Sequence, residues 1–156
     1  MARRHQAVKR ESAPDLRYNS KLMGRLINYV MTRGKKSVAE NATYRMLDFI
    51  KEQSKEDPLE VLMRAVDNIR PKVEVKSRRV GGATYQVPVE VSAERQLALA
   101  IRWLIQFSQG RKGVPLWRAL GLEVLDAFKN QGNAIKKRDD THKMAQANKA
   151  FAHYKW

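Results

Sequence analysis

The sequence predicts a mainly α fold: a bundle of about six helices with a two-stranded β-ribbon protruding between the third and the fourth. Two observations carry this expectation. Apolar residues recur at helical spacing in six stretches between Ser20 and Tyr154. Between Val73 and Val91 the period drops to two, with Val73 and Val75 before Gly81-Gly82 and Tyr85, Val87, Val89 and Val91 after it. A third observation, the charge, bears on what the fold is for. The chain has 156 residues with 31 Lys plus Arg against 16 Asp plus Glu, a formal net charge of +15, and a pI near 10.3. Such an excess repels itself unless a polyanion offsets it, and nucleic acid is the commonest such partner. An acidic membrane surface is the competing one, but no apolar run approaches the length of a bilayer span: Leu97 to Phe107 is broken by Arg102.

The length suits a single domain, 1–156, and 43% hydrophobic residues can build a core. Within it the expected parts are a basic N-terminal extension (1–19), a ribbon arm (72–91) and a C-terminal helix (139–156). The extension carries Arg3, Arg4, Lys9 and Arg10 with little apolar content and reads as irregular until bound. No apolar segment follows this basic start, which argues against a secretory signal. Cysteine is absent, so neither disulfides nor thiolate metal sites are expected, in keeping with a reducing cytoplasm.

Ser20 can cap a first helix whose apolar stripe is Leu22, Met23, Leu26, Ile27, Val30 and Met31, with Gly34 suited to its C-terminal cap. Ser37 and Glu40 have the spacing of a capping box that opens helix two, which runs to about Lys51 with Ala39, Ala42, Met46, Phe49 and Ile50 inward. Lys35 and Lys36 stand at that helix start, where free amides favour phosphate. The Gly34-Lys35-Lys36-Ser37 string lacks the upstream glycine and the preceding strand of a nucleotide-binding loop. Asp57 as cap, Pro58 at the first position and Glu60 open helix three, with Leu59, Leu62, Met63, Val66 and Ile69 as its stripe.

Pro71 ends that helix and starts the ribbon. Gly81-Gly82 tolerates positive φ and can close a two-residue hairpin turn. Strands of eight or so residues reach roughly 25 Å. Pro88 is acceptable because both strands of a lone ribbon are edges. Up to Arg79 the arm holds Arg70, Lys72, Lys76, Arg78 and Arg79 against Glu74, a distribution that makes sense if a polyanion orders it. Ser92 can cap helix four, with Leu97, Ala98, Ile101, Leu104 and Ile105 inward and Leu99 and Trp103 widening the stripe. Arg95 and Arg102, seven residues apart, share one face and extend the cationic track of the ribbon, unless a carboxylate of the chain pairs with them.

Pro115 opens helix five, with Leu116, Leu120, Val124, Ala127 and Phe128 inward and Gly121 marking a close helix contact. Lys136-Lys137-Arg138 reads as a second cationic loop. From about Asp139 a weakly apolar helix follows, with Met144, Ala147, Phe151 and Tyr154 along it. Phe151, His153, Tyr154 and Trp156 are too aromatic for so polar a segment and suit a helix lying on a partner. Catalytic sets are missing. His142 and His153 are eleven residues apart, roughly 16 Å along a helix, too far to share a metal. Neither a metal nor a cofactor is expected, and an enzyme is disfavoured.

Several strings together resemble bacterial small-subunit ribosomal protein seven. They are Pro14-Asp15 with Tyr18 and Ser20, Gly34-Lys35-Lys36, Val75 through Pro88, Arg102-Trp103-Leu104, and Lys136-Lys137-Arg138 through Met144 to Tyr154. The likeness spans the chain, departing at His5-Gln6 and at Ala93-Glu94. It implies a cytoplasmic, ribosome-bound structural protein. Such a protein is a primary binder of the three-prime major domain of small-subunit ribosomal RNA that nucleates assembly of the subunit head. The resemblance further implies neighbouring head proteins, ribosomal protein eleven, exit-site transfer RNA and messenger RNA as partners, and in some relatives repression of their own operon's translation. By position the RNA-binding residues would be Arg3, Arg4, Lys9, Arg10, Lys35, Lys36, Lys72, Lys76, Arg78, Arg79, Arg95, Arg102, Lys136 and Lys137. Arg78, Arg79, Gly81, Gly82, Tyr85, Lys143 and Asn148 would lie near transfer or messenger RNA, and Phe151, Tyr154 and Trp156 would meet a protein. Two other readings stand beside it: a DNA-architectural protein with Pro88 as a minor-groove wedge, and a nucleotide-dependent enzyme at Lys35 to Ser37.

Overall fold

The computed structural model describes residues 13–154. Among them are six α-helices: α1 (Lys21–Val30), α2 (Lys36–Ser54), α3 (Pro58–Ile69), α4 (Ala93–Gln109), α5 (Leu116–Phe128) and α6 (Asn133–Ala147). Two antiparallel strands, β1 (Val73–Val80) and β2 (Ala83–Glu90), stand between α3 and α4, and a 3-10 helix (Lys149–Tyr154) follows α6. This is the expected helical bundle with its ribbon. No helix among the described residues is long and apolar enough to cross a membrane.

One apolar cluster draws on all six helices, from Met23 and Leu26 of α1 to Ala134 and Ile135 of α6. At its centre lies α5, which packs against α2, α3, α4 and α6. Gly121 makes this possible. A Cβ there would stand 2.6 Å from Cδ1 of Phe49, so only glycine lets α5 and α2 approach this closely. The wide stripe of α4 does not make it the most buried helix, because Leu97, Ala98, Leu99 and Trp103 are only partly covered.

The helix ends follow local chemistry, with corrections. The Ser20 side chain accepts from the Met23 amide, and the Asp57 side chain from the Leu59 amide. Gly34 is not the cap of α1. That helix stops at Val30, and Gly34, at φ +75°, sits in the turn beyond. The Ser37–Glu40 box does not form either: α2 starts two residues early, with Lys35 as its cap, so Ser37 lies inside the helix and Glu40 pairs with Lys36 at 3.8 Å. Ser92 occupies the cap of α4 without a side-chain bond, and the Gln96 side chain instead donates to the Val91 carbonyl at 2.8 Å. Met63 of the expected core stripe is exposed, while Val61 and Ala65 are buried in its place.

The largest correction concerns α6. It begins at Asn133, capped by Gly132 at φ +92°, so Lys136, Lys137 and Arg138 are helical rather than a loop. Asp139 is consequently mid-helix and pairs with Arg138. The α-helix ends at Ala147, and Phe151 stands on the 3-10 turn.

Two buried carboxylates fasten segments to the bundle. Asp15 accepts from the amides of Arg17 and Tyr18 at 3.1 and 3.0 Å and from the Tyr44 hydroxyl at 2.6 Å, tying residues 13–20 to α2. That bond, with burial behind it, pushes the Tyr44 phenol up to about 12. Glu123, fully buried on α5, accepts from Nη2 of Arg111 at 2.6 Å and from the Ala134 amide at 3.0 Å. It thereby joins the 110–115 loop to the first turn of α6.

Candidate nucleic-acid interface

The ribbon is built by its turn. Gly81 and Gly82 both take positive φ (57° and 89°) and close Val80 directly onto Ala83. That register puts Lys76 opposite Val87 and Arg78 opposite Tyr85. Residues across from each other share a face. Val73 and Val75 therefore fall on the opposite face from Tyr85, Val87 and Val89. Instead of one apolar and one charged face, the arm mixes cations with apolar side chains: Lys76 and Arg78 beside Val87 and Tyr85 on one side, Arg79 beside Thr84 on the other.

The arm is held at its root and along β2. The Lys72 amide donates to Nε2 of His142 on α6 at 3.0 Å. Burial, then the Arg138 charge, lowers the affinity of His142 for a proton, consistent with a neutral ring accepting that bond. Tyr85 packs its ring on Phe151 with centroids 5.3 Å apart. Phe151, expected to face a protein partner, is thus half-buried against the chain's own ribbon. Pro88 lies opposite Val75, away from the turn, and lines a hollow of about 410 Å³ with His142 and Ala145. A wedge at the tip of the arm is not where this proline stands.

At the root of the arm three charges meet. Arg95, in the first turn of α4, donates through Nε to both oxygens of Glu74 at 2.9 Å. Lys76 Nζ lies 3.5 Å from Oε1 of the same carboxylate. The hydrogen bond to Glu74, then the charge of that carboxylate, raises the Arg95 pKa above its ordinary value. Two turns on, roughly 10 Å along the helix, the Arg102 guanidinium lies 5.8 Å from the ring centroid of Tyr29 on α1. Thus α4 carries a cationic line from the ribbon to the bundle.

Lys35 and Lys36 are exposed at the start of α2, where Lys35 is the cap residue and makes no side-chain cap bond. Lys136 and Lys137 are exposed on the first turns of α6, whereas Arg138 is turned inward, bonded to the Asn68 carbonyl and to Asp139. Lys143 is exposed, and the Asn148 side chain donates to the Met144 carbonyl at 2.8 Å. Arg3, Arg4, Lys9, Arg10 and Trp156 lie outside the described residues, as does the ring of Tyr154.

A further basic place was not anticipated. Lys21, Arg25 and Arg70 line a hollow of about 480 Å³ between α1, α3 and the start of α4, together with Met63, Asp67 and Glu94. Nε of Arg70 is buried there without a hydrogen-bond partner. Lys21 and Arg25 stand four residues apart on the polar side of α1, a spacing visible in the sequence but passed over in following the apolar stripe.

The arrangement offers cations on a ribbon, on α4 and at two helix starts, all mounted on a packed bundle, and that suits a sugar-phosphate backbone. A family model described as ribosomal protein S7p/S5e matches residues 2–149. The chain belongs to the ribosomal protein S7p/S5e family. Relatives named small ribosomal subunit protein uS7 match along their whole lengths and the whole of this chain. Those from Dictyoglomus turgidum, Syntrophobacter fumaroxidans and Sorangium cellulosum are 56%, 55% and 54% identical. Membership in the S7p/S5e family makes this a ribosomal structural protein and not an enzyme. The nucleotide-enzyme reading of Lys35 to Ser37 is set aside accordingly.

Proposed function

We propose that this protein is a structural constituent of the bacterial small ribosomal subunit, working in the cytoplasm. There it binds the three-prime major domain of small-subunit ribosomal RNA as a primary binder and nucleates assembly of the subunit head. The observation that carries the RNA-binding part is the ribbon: an eight-residue-per-strand arm bearing Lys76, Arg78 and Arg79, anchored at its root by Glu74 and His142. Lysines and arginines of tail, loops and ribbon neutralise phosphates, and the packed bundle fixes their spacing so that RNA shape is read. Residues 1–156 act in this as a single domain. Arg78, Arg79, Gly81, Gly82 and Tyr85 at the outer half of the ribbon, with Lys143 and Asn148, stand near exit-site transfer RNA and messenger RNA. The C-terminal aromatics meet ribosomal protein eleven, and the same cationic surface serves repression of the protein's own messenger.

Replacing Arg78 and Arg79 by alanine tests this. Binding to a transcript of that RNA domain should weaken, and the slope of log affinity against log salt should flatten by roughly 1.5 to 2, with thermal unfolding nearly unchanged. A large drop in melting temperature with affinity intact would make the arm structural and refute the reading.

A further inference from the structure

Glu74 is the one carboxylate on β1. On an arm meant for a polyanion it is out of place by charge alone, because it repels phosphate. Yet its side chain is only 12% exposed, while Lys76 and Arg95, the two cations it touches, are about half exposed (48% and 49%). The geometry of the contact with Arg95 is unusual for an arginine–carboxylate pair. Nε alone bonds to both oxygens, and the two terminal amino groups make no hydrogen bond among the described residues. A guanidinium gripped at Nε loses its freedom to swing but keeps its terminal fork available for a second acceptor, the geometry that phosphate oxygens accept. Lys76 reaches the same carboxylate from the strand. The group of three carries a net charge of one positive unit, which matches a single phosphodiester.

We propose that Glu74 is a positioning residue: it holds Arg95 and Lys76 as a preformed site for one backbone phosphate of RNA at the junction of β1 and α4. This rests on the RNA-binding reading above and adds to it a role for an acidic side chain. Preorganisation lowers the cost of ordering two long, flexible side chains when the phosphate arrives. It also sets positioning against simple electrostatics. By charge alone, removing Glu74 tightens RNA binding; by positioning, it weakens binding.

The test uses the full chain and a transcript of the three-prime major domain of small-subunit ribosomal RNA, titrated at several salt concentrations. Glu74→Gln should weaken binding roughly fivefold, the scale of one misaligned charge-assisted contact. Glu74→Asp keeps the charge and loses the reach, so it should weaken binding in the same direction, and it decides the matter if the glutamine variant melts far below the parent chain. Arg95→Gln should flatten the salt slope by about one. With Arg95→Gln already in place, either change at Glu74 should cost less than it does in the parent chain, because only Lys76 is left for it to position. Glu74 variants that bind as tightly as the parent chain or tighter, or that lose the same factor without Arg95, overturn the proposal while leaving the RNA-binding reading intact. A parent chain with no salt-sensitive binding to the transcript overturns that reading, and this proposal with it.

Discussion

Glu123 offers the most demanding test of how the bundle holds its cations in place. It is fully buried, and its two oxygens do separate jobs: Oε2 accepts from Arg111, and Oε1 accepts from the Ala134 amide at the start of α6. Glu123→Gln keeps the shape and an acceptor for Ala134 but removes the charge opposite Arg111. Breaking a buried pair costs about 3–5 kcal/mol. Here that is discounted, because the Arg111 side chain is 28% exposed and keeps Asp126 at 2.6 Å; about 2 kcal/mol remains. Glu123→Leu also orphans the Ala134 amide, which adds about 1–3 kcal/mol. A domain of this size shifts its melting point by about 2–4 °C per kcal/mol. Thermal melts followed by circular dichroism should therefore fall by about 4–8 °C for glutamine and by about 6–20 °C for leucine. Melts within about 2 °C of the parent chain for both variants, or a leucine variant no worse than the glutamine one, would refute the assignment of separate jobs to the two oxygens.

Two other outcomes follow from the structure. His142 has its pKa lowered from the ordinary value of 6.5, by burial first and then by the Arg138 charge, so the folded chain holds fewer protons than the unfolded chain as pH falls past that value. Its contribution is complete above about pH 6.5 and is lost as pH drops through the lower folded value. Hydrogen exchange at the Lys72 amide should accelerate between pH 7 and 5 beyond the intrinsic trend, and a flat profile would remove His142 as the fastening of the ribbon. Gly121→Ala places a Cβ against the Phe49 ring and should destabilise the chain by about 1–2 kcal/mol despite the better helix propensity of alanine. Chemical denaturation should show Phe49→Leu recovering most of that loss, and an unrecovered loss would locate the strain elsewhere.

The helices were legible because their apolar stripes are long and their starts carry recognisable chemistry, as at Ser20 and at Asp57-Pro58. The ribbon was legible from its period and its glycine pair. What failed has identifiable causes. Lys136-Lys137-Arg138 reads as a loop because a run of charge hides a helix start whose cap, Gly132, carries no side chain to announce it. The faces of the ribbon are not legible from the alternation alone, because a two-residue turn pairs even with odd positions, so two alternating runs that look alike face opposite ways. Asp15, Glu74 and Glu123 are the residues least visible in advance. Nothing in local spacing marks a carboxylate as buried when its partners lie 21 or 29 positions away, as with Arg95 for Glu74 and Tyr44 for Asp15. Of the expected interface, Lys35, Lys36, Lys136 and Lys137 are exposed. Arg95 and Phe151 are each tied to another part of the chain, a pairing only the folded structure reveals.

The most direct measurement is a salt titration of the whole chain binding a transcript of the three-prime major domain, with duplex DNA as competitor. If about eight phosphates are neutralised, log affinity should fall against log salt with a slope of roughly −6 to −7, and duplex DNA should compete poorly. A slope near zero, or duplex DNA displacing the transcript at equal salt, would contradict a cationic surface shaped for folded ribosomal RNA.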